Sequence, residues 1–187
     1  TEKWVEFVND HVKGKIEAFE KALEAGNYTE VRKLIDYESW ADWFIISEFA
    51  KNVDAYRASC FFVYNGDKIE ARPLWDQEVS FNNTATTVGE GKGCSNTSGL
   101  LIQNSGVYSD AFPAPFWFTG GGANETKGLL ADPCFISTIK ERWGVHTQTE
   151  GALTLKALND RITGYTTELT AKAESREKTY WSTRTRA

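Results

Sequence analysis

The stretch NVDAYRASCFFVYNGDKIEARPLWDQEVSFNN, residues 52–83, decides how this chain folds. Two runs within it, SCFFVY (59–64) and KIEARPL (68–74), are rich in aromatic and β-branched side chains that suit a pleated, half-buried surface, so both read as strands. Between them stands Asn65-Gly66, a pair that tolerates the positive φ angles of a type I′ turn. A tight β-hairpin is expected. Asp54 precedes its first strand and Asp76 follows its second, so the turn returns both carboxylates to the end opposite Asn65-Gly66. Acids distant in sequence become neighbours in space, within reach of one metal ion.

Working upstream, Val5, Val8, Val12, Ile16, Phe19 and Leu23 recur every three or four residues, one apolar stripe on a helix that Gly14 interrupts and Gly26-Asn27 stops. A short helix then begins at Asn27 or Thr29. The next takes Ser39 as its expected N-cap, with Asp42 three residues on, and carries Trp40, Trp43, Phe44 and Phe49 on its apolar face. That helix ends at Asn52 and Asp54, so burying its aromatic face fixes where Asp54 points. Glu48 on it reads first as a solvated surface carboxylate and second as a support for the site. Trp43, Phe44, Phe62 and Trp75 are expected to be buried together.

Downstream, residues 79–127 lose periodicity and fill with Gly, Asn, Ser and Thr, a connection longer than compact domains usually carry. Within it FPAPFWF (112–118) has the aromatic density of a plug docked on the core, or of a lid over a site. Asp132-Pro133 opens a further helix with Phe135, Ile139 and Trp143 facing inward, ended by Gly144. A last helix over 151–176 spaces Leu155, Leu158, Ile162, Tyr165 and Leu169 as an outer clamp. The fold class expected is α+β, mainly α-helical, with helices around a small β-hairpin in one domain spanning residues 1–187.

An Asp followed five positions later by a metal-binding side chain, then a hairpin, then a second Asp, is also the layout of a protein-kinase catalytic core. Ser59 stands five residues after Asp54. More closely, NVDAYRAS followed by a hairpin and PLWDQEVSFNN resembles the CotH kinase family, whose members carry an N-x-D segment and a P-x-W-D-F-D-x-x-F-G-N-like segment in this order. The resemblance extends upstream through IDYESWADWFIISEFAKN and downstream through GLLADPCFISTIKERW, covering most of the chain. It implies the C-terminal lobe of a kinase-like fold and ATP- and Mg²⁺-dependent phosphoryl transfer to a protein substrate. By the same resemblance Asp54 is the catalytic carboxylate near the attacking hydroxyl, Ser59 and Asp76 bind the cofactor, and Asp76 and Glu78 hold the metal. Ser59 replaces the usual Asn with a poorer ligand, and Glu78 stands where the motif has a second Asp.

Residues before Asp54 read as helices, without the strand-rich lobe, Gly-rich phosphate loop and Lys that a kinase uses. Either that lobe lies before Thr1, making this the C-terminal part of a larger kinase domain, or the scaffold is kept without full catalysis. The absence of Met from the chain agrees with sequence upstream of Thr1. The competing class is a non-catalytic secreted or surface module that offers aromatic platforms to a glycan or protein partner; an extracytoplasmic or cell-surface setting suits both.

A net charge of −5 without a dense basic cluster gives no electrostatic footprint for nucleic acid. No apolar run approaches the roughly 20 residues of a membrane span. Cys60, Cys94 and Cys134 have no zinc-ligand spacing; Cys60 reads as a buried strand residue, and Cys94 and Cys134 as loop residues able to pair on export. Neither His11 nor His146 belongs to a catalytic or metal-binding pattern.

Overall fold

A computed structural model of the chain describes residues 2–56, 58, 60–81, 98–103, 116–120, 127–169 and 171–182. Two compact units divide it, Thr1–Arg142 and Trp143–Ala187. The described residues are mainly helical with one small antiparallel sheet, the α+β class expected from the sequence.

The first unit opens with α1 (Glu2–Phe7), a π-helical stretch (Val8–Lys13) and α2 (Gly14–Glu24) in uninterrupted succession. A π-helix closes i to i+5 bonds and so turns the side chains out of the 3.6-residue register. The apolar stripe drawn from Val5 to Leu23 therefore fails at its start: Val5 is exposed, whereas Phe19 and Leu23 are buried. α3 (Tyr28–Leu34) starts at Tyr28, between the two starts expected, and Asn27 caps it by accepting from Glu30 N.

For α4 (Tyr37–Ala50) the cap is Asp36, which accepts from Ser39 N at 2.8 Å, and not Ser39. The cause lies in the sheet. Ile35 bridges Ile69, and Asp36 N donates to Ile69 O at 3.0 Å, so the chain is held extended up to Asp36 and the helix begins directly after it. Ser39 Oγ is used elsewhere, donating to Asp36 O and accepting from Ala71 N.

Strands β1 (Phe62–Tyr64) and β2 (Ile69–Ala71) pair antiparallel, Phe62 opposite Ala71 and Tyr64 opposite Ile69. The turn falls one residue later than expected. Asn65 N donates to Lys68 O, leaving Gly66 and Asp67 as the loop with Gly66 at φ 99°, because the Asn65 side chain accepts from both Asp67 N and Lys68 N. The free side of β2 is covered by the start of α4, where the Trp40 indole N–H also donates to Ile69 O at 2.9 Å.

Around this docking the core assembles. Trp40, fully buried, stacks on Phe62 at 4.8 Å and meets Phe19 at 5.5 Å and Phe118 at 5.9 Å. Phe118, on α5 (Phe116–Thr119), also stacks on Trp43 and Phe44, so the part of the FPAPFWF run that is described plugs the core. Each buried aromatic of this kind contributes roughly 1.5–3 kcal/mol by transfer. Trp43 and Phe44 are buried and Phe62 partly so, but Trp75 is 55% exposed with its edge on Phe61. Pro73 has no N–H for a ladder, so the chain leaves the sheet before Trp75 can turn inward.

Gly128 makes the return from α5 possible, since a Cβ there would lie 2.2 Å from Phe118 O. A 3₁₀ turn (Leu129–Ala131) leads to Asp132, which caps α6 (Pro133–Thr147) by accepting from Cys134 N at 2.9 Å. Its other oxygen accepts from Tyr37 Oη at 2.7 Å. Phe135 is buried and Arg142 forks onto Asp42. Cys134 keeps a free thiol 3.0 Å from Arg32 Nη1, and Cys94 lies outside the described residues. Contrary to expectation Gly144 does not end α6, and Trp143 is exposed.

In the second unit Thr154 caps α7 (Leu155–Glu168) by accepting from Ala157 N. The single helix expected over 151–176 is two, with α8 at Ala171–Ser182. Leu155, Ile162, Tyr165 and Leu169 of the helical stripe are exposed. No helix among the described residues is long and apolar enough to cross a membrane.

Candidate functional site

The site grows from the C-terminal end of α4. Lys51 ends the helix in the left-handed region (φ 53°), and Asn52 follows, fully buried. Asn52 Oδ1 accepts from Asp54 N at 3.1 Å and its carbonyl from Ala55 N, a local turn typical of Asn. Val53, Ala55 and Tyr56 are buried while Asp54 between them is half-exposed. Consequently the backbone on each side of Asp54 is anchored in the core while Asp54 itself is only partly covered. Asn52 Nδ2 is buried without a partner, a cost that native interiors rarely carry without reason.

The second arm returns from β2. Asp76 takes φ 56° and Phe81 φ 53°, left-handed conformations that are uncommon outside glycine. Between them Ser80 N donates to Gln77 O, and Phe81 N donates to Ala50 O at 2.7 Å, which ties this arm to the same helix end as Asp54. Asp76 and Glu78 are both exposed. A hydrogen bond shared with Asp76 holds the Glu78 carboxyl above the usual carboxylate range, and the negative charges of Asp76 and Asp54 push it the same way. Ser59 lies outside the described residues, as do Asn82 and Asn83.

Among the described residues no group of three or more His, Cys, Asp or Glu side chains is set to hold a metal. Magnesium does not need such a cage, because it keeps several waters and binds through one or two carboxylates plus substrate phosphates. Asp76 and Glu78 are exposed carboxylates separated by one residue on the same arm, oxygen donors of the kind a hard divalent cation takes. On the chemistry of its donors the Asp76–Glu78 pair fits magnesium.

Glu48 corrects the reading of a surface carboxylate. It is 7% exposed and accepts from Tyr56 Oη at 2.7 Å, from Ile102 N at 3.0 Å and from Leu101 N. Its signal was available: Glu48 stands four residues after Phe44 and eight after Trp40, on the apolar stripe, where a carboxylate survives only when hydrogen-bonded. Lys51 Nζ reaches the same segment at Gly99 O, 2.6 Å away.

The sequence model of the CotH kinase protein family matches residues 5–187. No curated protein and no solved structure matches the chain.

Proposed function

The chain belongs to the CotH kinase family, and from that membership we propose that it transfers the terminal phosphoryl group of ATP to a protein substrate with Mg²⁺ as cofactor. The observation that carries this reading is the hydrogen bond from Phe81 N to Ala50 O, which ties the arm bearing Asp76 and Glu78 to the helix end that leads into Asp54. Three acids from the two ends of one hairpin suit a reaction in which positioning and charge neutralisation supply most of the catalysis.

Asp54 accepts the proton of the attacking hydroxyl. Its anchored backbone suits that role, because a general base must sit within hydrogen-bond reach of the proton it removes. Asp76 and Glu78 hold the metal, and Ser59 with Asp76 contributes to nucleotide binding. Magnesium bound there supplies positive charge against the transferring phosphates. Asp76 and Glu78 would both serve as oxygen ligands to a hard divalent cation, the donor type magnesium takes.

Calorimetric titration of Mg-ATP into the wild-type protein and two variants tests the assignment. Asp76→Asn is expected to weaken Mg-ATP binding about tenfold or more, since Asn keeps the shape but removes an anion the cation needs. Asp54→Asn is expected to leave that affinity within about twofold and to lower turnover by about 10²–10⁴. A wild-type protein that binds no Mg-ATP, or an Asp76→Asn variant that binds it equally well, would leave the non-catalytic binding module as the better account.

A further inference from the structure

Two acids, Glu48 and Asp132, are buried among the described residues. Asp132 spends its oxygens on the start of α6 and on Tyr37. Glu48 spends none on its own helix. Its three donors come from two other segments: Tyr56 Oη, two residues beyond Asp54, and the backbone N–H groups of Leu101 and Ile102. We infer that Glu48 is a positioning residue for Asp54, joining the Asp54 loop to the segment at 98–103 through one buried carboxylate. The inference rests on the kinase reading above and adds to it a residue that never touches substrate.

The chemistry requires a carboxylate. One oxygen accepts from Tyr56 Oη and Ile102 N and the other from Leu101 N, and an ionised Glu has acceptor sites for all three. Gln at this position has a single acceptor oxygen and must aim an amide N–H₂ at a donor. One arm then detaches, leaving a buried polar group unpaired. On the Asp54 side, the Tyr56 ring is wedged edge-on against Trp43 at 5.3 Å and Phe118 at 5.4 Å, so its hydroxyl bond to Glu48 completes a two-point fixation. Asp54 lies between this anchor and Asn52, whose side chain holds its N–H. Misplacing a catalytic group by about 1 Å can cost on the order of a hundredfold in rate, which is the scale on which such an anchor acts.

The test uses Glu48→Gln and Tyr56→Phe in the intact protein, with Mg-ATP affinity, turnover and amide hydrogen exchange measured on each. Glu48→Gln is expected to lower turnover about tenfold or more while Mg-ATP affinity stays within about twofold, and to speed exchange at Leu101, Ile102, Asp54 and Ala55. Tyr56→Phe keeps the ring packing and removes one hydroxyl; it is expected to lower turnover in the same direction and speed exchange at Asp54 and Ala55 alone. Unchanged exchange at Asp54 and Ala55 in Glu48→Gln overturns the inference, as does a turnover loss matched by an equal loss of Mg-ATP affinity. Should Glu48→Gln fail to fold, Tyr56→Phe decides by the same two readouts. If the wild type neither binds Mg-ATP nor transfers phosphate, it is the kinase reading that fails, and the exchange pattern alone decides whether Glu48 positions the loop.

Discussion

Asp76 sits at φ 56°, a conformation that costs a non-glycine residue about 1–2 kcal/mol, and it stands beside a second exposed acid, Glu78, whose carboxyl it holds above the usual range. Backbone strain and like charge meet at one residue, a combination associated with sites under functional constraint. Asp76→Gly relieves both. That variant is expected to melt at or above the wild-type temperature, by up to about 1 kcal/mol in stability, while losing Mg-ATP binding; a clear fall in melting temperature in a calorimetric scan would mean the Asp76 side chain braces the fold instead. At this scale the sequence carried the acids but not their surroundings. Asp54 and Asp76 stood out as candidates because an ordered motif and a hairpin set their relation. The partners of Glu48 were not, since Leu101 and Ile102 lie in a stretch without periodicity, where long-range hydrogen bonds leave no pattern in the text.

Among the elements, α4 has the most varied duties. Its start covers β2, its middle builds the aromatic core and its end carries the site. Two substitutions separate these duties. Trp43→Ala, at a position 4% exposed with rings from Tyr56, Phe62 and Phe118 around it, is expected to cost about 3–5 kcal/mol. Asp36→Ala removes the cap alone and is expected to cost about 0.5–2 kcal/mol. Chemical denaturation of both variants checks the order, and a larger loss for Asp36→Ala would show that the helix cap, not ring packing, limits stability. The apolar face of α4 was readable from spacing. Its cap was not, because Ser39 satisfies every local rule for an N-cap and loses the position only through the pairing of Ile35 and Asp36 with Ile69, a strand 33 residues further on. Likewise the stripe of α1 followed the right rule with the wrong period, since nothing local in Val8–Lys13 announces a π-helix.

Across the first unit, the start of α4 and the start of α6 are joined by Tyr37 Oη donating to Asp132. Burial holds the Tyr37 phenol well above its ordinary value, and the hydrogen bond and charge of Asp132 add to the shift. The sign follows from linkage. Above pH ~10 the unfolded chain releases this proton and the native protein retains it, so the stabilisation is full below pH ~10 and is lost as pH rises toward the native pKa. Stability measured by urea unfolding is expected to fall with pH above about 10, and Tyr37→Phe to reduce that slope by about one proton. An unchanged slope would show that other tyrosines govern the alkaline limit.

The plug formed by Phe118 also sets a schedule. Trp43 and Phe44 wait for a ring that is synthesised about 75 residues later, and a ribosome adding roughly 5–20 residues per second needs on the order of 4–15 seconds to deliver it. Throughout that interval the aromatic face of α4 has only the earlier rings of Tyr56 and Phe62 to cover it. Birth of this protein is therefore the period in which it is most prone to aggregate, and the time at which a chaperone that grips exposed aromatic segments has most to hold.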